Sequence, residues 1–259
     1  MFLHANGFSA KMYQDFLTSL YDDYLVLAPD LPGHGESRWV GLIQDWNELA
    51  EYYIEKMTQN LPPAPMIGMG HSIGGILVML MAIKRPGWFS KIILLDPVLL
   101  PKPILWVIRG LHLFSLSHLI PLARATKRRK QTFPSREAAL DHYSKKAVFS
   151  RWEPQFLQAY VDTCLRSMEN GQYQLSCAPR LESSIYQSIP LNTWNLPKQL
   201  SVPSLFIIGK YSDTVNRRGF LRLKSLKNHP VVENIDGGHL FPFERPEASM
   251  NVIKVFLSK

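Results

Sequence analysis

Ten residues, Met66-Ile67-Gly68-Met69-Gly70-His71-Ser72-Ile73-Gly74-Gly75, constrain the fold more than any other part of the chain. The apolar run 64–67 reads as a buried strand, and Gly74 onward through Ile83 reads as an apolar helix. Ser72 therefore sits on a sharp strand-to-helix turn. Gly70 and Gly74 flank it at minus two and plus two, where a Cβ would collide with the facing backbone. Such a turn lifts one hydroxyl clear of a sheet. Two other readings compete with a nucleophilic serine. One is a structural turn. The other is a dinucleotide-binding turn built on Gly68-x-Gly70, with Asp96 near the place of the ribose-binding acid; that fingerprint requires a third glycine at position 73, which is Ile73.

Elsewhere apolar runs and helical periodicities alternate. A stub of strand at Met1–His4 runs into the loop His4-Ala5-Asn6-Gly7-Phe8, and Lys11–Leu20 reads as a short helix. Tyr24–Ala28 is expected to be a buried strand ended by Pro29. The stretch from Asp30 to Ser37 is dense in turn formers. A helix follows from about Gln44 to Gln59, with Trp46, Leu49, Ala50, Tyr53 and Met57 on one face, and Pro62, Pro63 and Pro65 close it. Further strands are expected at Lys91–Leu95, Ser204–Ile208 and Val231–Ile235, and a last helix at about Pro246–Ser258. This alternation predicts an α/β fold: a parallel sheet of about six strands with helices on both faces.

Residues 100–200 interrupt the alternation. They are Trp- and Leu-rich and punctuated by proline, and read as an inserted helical cap between core segments 1–99 and 201–259. They also carry the whole charge excess: 14 Lys/Arg against 6 Asp/Glu, when the chain as a whole has a net charge of +8. The peak is Lys127-Arg128-Arg129-Lys130. A solvated basic face is one reading, and weak association with an anionic membrane surface is the other. With no accompanying nucleic-acid motif, nucleic acid is not an expected partner. Ile104–Leu122 is apolar and long enough to span a bilayer, but Arg109, His112, His118 and Pro121 argue against a transmembrane helix. It reads as a cap helix, either buried or lining a greasy pocket. Cys164 and Cys177 have no metal-ligand spacing, the first residues lack a signal-peptide pattern, and a cytoplasmic location is expected.

A serine hydroxyl needs a base to take its proton and an acid to orient that base. In a parallel sheet both should come from the carboxyl ends of strands. His239 follows the strand Val231–Ile235 in the loose loop Asp236-Gly237-Gly238-His239; of the histidines after Ser72, it alone has that position. Asp213 and Asp96 are both strand-end carboxylates. Asp213 is preferred because it lies on the strand just before the histidine loop, and Asp96 is the alternative acid. The backbone N–H groups of Ile73 and Asn6 are the expected oxyanion donors, with Ala5 and Gly7 close behind Asn6. His4 and His34 are expected to bond nearby backbone in tight turns.

These motifs together resemble the α/β-hydrolase family: His4 to Phe8, Asp30 to Ser37, Gly70 to Gly75, Gly209 to Asp213, and Gly237-Gly238-His239 with Pro242 to Pro246. The resemblance covers both flanks of the insertion and implies a Ser72–Asp213–His239 triad beneath a helical lid. It also implies two strands before the His4 loop that this sequence lacks. Six parallel strands in the family order 4-3-5-6-7-8 would then remain, with Tyr24–Ala28 as an exposed edge. The expectation is a serine hydrolase cleaving a small-molecule carboxylic ester or thioester with a hydrophobic acyl group, lodged against Trp106 and Phe114. No metal or organic cofactor is implied. The alternatives are a non-catalytic ligand-binding or interaction protein on the same fold, and a membrane-surface lysophospholipase or lipase.

Overall fold

A computed structural model describes residues 1–60 and 65–259. Pro62, Pro63 and the start of the predicted strand at Ala64 lie outside the described residues. The centre of the molecule is a five-stranded sheet of β1 (Phe2–Leu3), β2 (Met66–His71), β3 (Phe89–Leu95), β7 (Ser204–Gly209) and β8 (Val231–Ile235), in that spatial order. All four pairings are parallel. Strands β4 (Thr132–Phe133), β5 (Leu165–Ser167) and β6 (Tyr173–Leu175) form a separate antiparallel sheet in the order β4-β6-β5.

Alternation along the central strands builds two apolar layers. Ile92 and Leu94 of β3, with Phe206 and Ile208 of β7, pack on one side against the helices Trp46–Asn60 and Ile73–Lys84. Ile93 and Leu95, with Leu205 and Ile207, pack on the other side against the helix Pro246–Leu257 and the helical turns of Lys11–Leu20. Successive side chains in a strand point to opposite faces, so a fully apolar run is what a strand covered on both sides requires.

Two expectations about this scaffold are corrected. Among the described residues the sheet has five strands rather than about six, because Tyr24–Ala28 forms no strand. The segment runs beside β1 and accepts one bond there, from Phe2 N–H to the Leu27 carbonyl. Leu25 is 89% exposed, and Tyr24 and Leu27 are also exposed. Val26 and Ala28 pack against the second apolar layer, but no layer covers Tyr24, Leu25 and Leu27, so the run lacks the two-sided burial of a central strand. The segment 100–200 is not purely helical either, since it contains the small antiparallel sheet. Its first helix, Lys102–Leu113, buries only Leu105 and Ile108 among its residues. Trp106 and Phe114 stand 75% and 71% exposed, so Ile104–Leu122 is neither a buried helix nor a single one.

Candidate active site

Ser72 leaves β2 with φ +58° and ψ −118°, a left-handed conformation that a side chain other than glycine adopts only under constraint. The constraint is visible on both sides. A Cβ at Gly70 would fall on the Gly74 peptide, and one at Gly74 would fall on the Leu3 carbonyl. The turn is also fastened to β3, where Ser72 N–H donates to the Leu95 carbonyl at 2.9 Å. The helix Ile73–Lys84 then starts with its N-terminus beneath the hydroxyl, and its partial positive charge faces the same space.

The hydroxyl of Ser72 lies 3.0 Å from His239 Nε2. The other ring nitrogen, Nδ1, donates to Asp96 Oδ2 at 2.5 Å. Asp96 is fully buried, and its carboxylate also accepts from Gly209 N–H at 3.0 Å and from the Ser212 hydroxyl at 2.5 Å. The structure therefore does not give His239 the carboxylate preferred from the sequence. Asp213 is exposed and lies at the cavity wall, with Oδ1 3.5 Å from the Thr214 hydroxyl. The physical reason is the setting of the two carboxylates: Asp96 is buried and held by Gly209 N–H and the Ser212 hydroxyl, whereas the Asp213 side chain is exposed. The 209–213 loop instead contributes Ser212 to Asp96, and Thr214 approaches His239 Nδ1 at 3.1 Å.

Burial disfavours a charged His239 ring, but its hydrogen bond to Asp96 and the charges of Asp96, Asp213 and Glu244 outweigh this and raise its pKa above the ordinary 6.5. The histidine loop is held by Glu244, whose carboxylate accepts from Gly238 N–H at 2.9 Å and faces Arg151 at 3.2 Å. His71 also fastens it. Its Nε2 donates to the His239 carbonyl at 2.9 Å, while its Nδ1 accepts from the Tyr13 hydroxyl at 2.6 Å. Burial holds the His71 pKa well below 6.5, so the ring is neutral and can accept at one nitrogen and donate at the other.

The loop after β1 faces the serine. Ala5 N–H is directed to the Tyr13 hydroxyl at 3.4 Å, and Gly7 N–H to His34 Nε2 at 3.1 Å. These acceptors separate the three candidates in this loop: Asn6 N–H is the one left for an oxyanion, opposite Ile73 N–H. His4 and His34 bond backbone, as expected for tight turns. His4 donates to the Ala5 carbonyl and accepts from Leu31 N–H, both at 2.7 Å. Burial lowers His4 to a pKa of about 4 and His34, with help from the charge of His4, to about 3.

A cavity of about 830 Å³ opens over Ser72, Ile73, Asn6 and His239. Residues 100–200 supply much of its wall, including Ile104, Leu122, Tyr143, Phe149, Tyr160, Ile185 and Ile189, with Arg128, Lys130 and Lys146 also at the wall. Trp106 and Phe114 are not among its lining residues; Ile104 and Leu122 are. No group of three or more His, Cys, Asp or Glu side chains suited to a metal ion occurs among the described residues.

A family model described as the alpha/beta hydrolase family matches residues 1–251. The chain belongs to the alpha/beta hydrolase family. Monoglyceride lipase of Homo sapiens is 30% identical over 105 residues, which cover 39% of this hydrolase-family chain and 35% of that protein. The chain thus matches about a third of the lipase's length. An abhydrolase domain-containing protein of Alternaria alternata is 25% identical over 232 residues, covering 75% of this chain and 84% of that protein. Among solved structures, E-2-(acetamidomethylene)succinate hydrolase superposes with a TM-score of 0.80 at 17% identity, covering 100% of this chain and 90% of that one, a likeness of fold.

The sequence contained no local signal for Glu182, Arg129, Tyr160 or Tyr13. Each reaches the site through a partner distant in the chain.

Proposed function

We propose that this chain is a serine hydrolase of carboxylic esters or thioesters with a hydrophobic acyl group. The observation that carries the reading is the hydrogen-bonded line from Ser72 Oγ through His239 to Asp96, at 3.0 and 2.5 Å, on the floor of a largely apolar cavity. Ser72 attacks the carbonyl carbon as its proton passes to His239 Nε2. Asp96 stabilises the imidazolium that forms and keeps its ring oriented. The N–H groups of Ile73 and Asn6 bind the oxyanion, each contributing about 2.7–4 kcal/mol. Collapse of the tetrahedral intermediate expels the alcohol or thiol, which takes the proton from His239. Water, deprotonated by His239, then attacks the acyl-enzyme, and the acid leaves with Ser72 restored. In this reading residues 100–200 are the lid that shapes the acyl site.

Fluorophosphonate labelling of wild type and Ser72→Ala tests the reading. Labelling of wild type alone, with turnover of p-nitrophenyl esters from acetate to decanoate, is expected. A folded wild type that is neither labelled nor active would support a ligand-binding protein instead. Chain length is the second test: medium chains should be preferred, and an acetate turned over far faster would sink the hydrophobic acyl site.

One observation favours a membrane-surface substrate as a second reading. Trp106, Val107, Leu113, Phe114 and Leu122 are all more than half exposed beside Lys102, Arg109, Lys127 and Arg128. Exposed apolar side chains and cations interspersed along the same stretch of chain suit the surface of an anionic bilayer. No helix among the described residues is long and apolar enough to cross one. Sedimentation with phosphatidylglycerol vesicles, and its loss in Trp106→Ser/Phe114→Ser, would support this reading. Equal recovery with and without vesicles would end it.

A further inference from the structure

The loop that carries Asn6 is held on the core side by Tyr13 and His34, which bind Ala5 N–H and Gly7 N–H, while the strand before it is short. Strand β1 is two residues long and pairs with β2 at two positions. The loop that follows is held from the insertion side by three contacts that the sheet does not supply. Asn6 Nδ2 donates to the Glu182 carbonyl at 3.0 Å. Gly7, at φ +81°, lies so close to the Glu182 carboxylate that a Cβ there would sit 2.5 Å from Oε1. The Phe8 ring packs edge-on against Tyr160, with ring centroids 5.8 Å apart.

Glu182 is itself fixed. Arg129 Nη1 reaches its two carboxylate oxygens at 2.7 and 2.6 Å, and Arg129 Nη2 donates to the Tyr160 hydroxyl. Glu182 and Tyr160 are buried and Arg129 is about three-quarters buried. The three come from the helix Pro179–Gln187, the turn after the helix Pro121–Lys127, and the helix Pro154–Thr163. A buried ion pair is seldom the most stabilising filling for such a space; apolar residues of similar volume often do as well. Its distinctive property is directional: it fixes a carboxylate and, through the same residue, a carbonyl in one place.

We propose that Glu182 and Arg129 are positioning residues for the oxyanion loop: their buried pair is a strut by which the insertion holds Ala5–Phe8 with Asn6 N–H aimed at the reacting oxygen. The kinetic consequence rests on the hydrolase reading above; the structural consequence does not. An oxyanion donor acts only when its placement is accurate, and a misplacement of about 1 Å costs roughly a hundredfold in rate. The strut, though it also lines the cavity, therefore governs turnover through the placement of Asn6 N–H.

The test compares wild type, Glu182→Gln, Arg129→Met, the double variant, and Tyr160→Phe, which retains the ion pair and removes only the hydroxyl. Hydrogen–deuterium exchange, read by mass spectrometry, reports on the peptide spanning Ala5–Met12. Active-site titration with a fluorophosphonate normalises kcat on p-nitrophenyl butyrate, and a trifluoromethyl ketone that forms a tetrahedral adduct reports on oxyanion binding. The expected result in Glu182→Gln is faster exchange in that peptide with β2 and β3 unchanged. Its kcat per titrated site should fall roughly ten- to a hundredfold, with KM within about twofold and ketone affinity weakened in parallel with kcat. Tyr160→Phe should show the same changes at smaller size. Unchanged exchange in the loop, or unchanged kcat per titrated site, overturns the proposal. If Glu182→Gln does not fold, Tyr160→Phe decides by the same criteria. A wild type without labelling or turnover fails the hydrolase reading alone, and loop exchange then decides the strut by itself.

Discussion

Asp96 Oδ2 lies 2.5 Å from Nδ1 of His239, although 143 residues of chain separate them. The contact closes across the carboxyl ends of the sheet. His239 follows β8, and Asp96 directly follows β3, the central strand. Its backbone is tied to the next strand, with Asp96 N–H donating to the Ile207 carbonyl at 2.8 Å. Gly209 N–H and the Ser212 hydroxyl complete the surroundings of its carboxylate. A buried carboxylate so supplied with donors stays aimed at one partner.

Asp96→Asn should therefore lower kcat by about 10³- to 10⁴-fold, because the amide no longer stabilises the imidazolium or fixes its tautomer. Asp213→Asn should cost less than about tenfold, since that side chain is exposed and meets His239 through charge alone. Steady-state kinetics on p-nitrophenyl butyrate with both variants checks the assignment. The opposite ranking would return the acid to Asp213.

The pH profile carries the same information. In the proposed mechanism His239 is the base and acts only when neutral, so kcat/KM should rise with pH and level off above its folded pKa. The hydrogen bond and charge of Asp96 hold that pKa above 6.5, and Asp213 and Glu244 add to it. Asp213→Asn removes one of these charges, so the rising limb should move to lower pH with its plateau little changed. A limb that does not move would show that Asp213 is screened from the ring.

The Ser72 turn was legible because its geometry is local: Gly70 and Gly74 leave it room that other residues would not. His239 was legible for a similar reason, since it follows a strand in a glycine-loosened loop. The carboxylate that meets His239 was not. Asp96 and Asp213 are both strand-end carboxylates, and a place on the strand just before the histidine loop favoured Asp213; the burial of Asp96 and its donors Gly209 N–H and Ser212 leave no sign in the sequence. Tyr24–Ala28 has the composition of a strand, but composition does not reveal whether another layer covers it. Glu182 and Arg129 lie 53 residues apart, within residues 100–200, whose strands are two or three residues long, too short to leave a periodic signal.

Two glycines should respond to alanine in opposite ways. A Cβ at Gly74 would meet the Leu3 carbonyl, a backbone atom that cannot rotate away. Gly74→Ala should destabilise by about 1–3 kcal/mol, the usual cost of overpacking, and displace the Ser72 turn. Gly110 lies within the helix Lys102–Leu113 with nothing within 4 Å of an added Cβ. Gly110→Ala should stabilise by about 0.4–1 kcal/mol by restricting the unfolded chain. Urea titration of both variants, with activity measured alongside, checks the pair.

Acid sensitivity should come partly from His4, His34 and His71, rings that burial keeps neutral. Their folded pKa values lie below 6.5, at about 4 for His4 and about 3 for His34. As the pH falls from 6.5 towards 4 the unfolded chain takes up protons at these sites and the folded chain does not. Unfolding is then favoured, and each such histidine contributes up to about 1.4 kcal/mol of lost stability per pH unit. His239 has the opposite sign: its raised folded pKa gives stability that is complete below 6.5 and lost as the pH rises through the folded value. The two effects occupy different pH windows. Urea unfolding between pH 6.5 and pH 5 therefore isolates the buried rings, above the range where most carboxylates titrate. His34→Asn should be less stable at pH 7, having lost ring contacts to Gly7 N–H and the Pro32 carbonyl, but should lose less with acid than wild type. Parallel slopes for the two proteins would mean that His34 is protonated in the folded state, contrary to its burial.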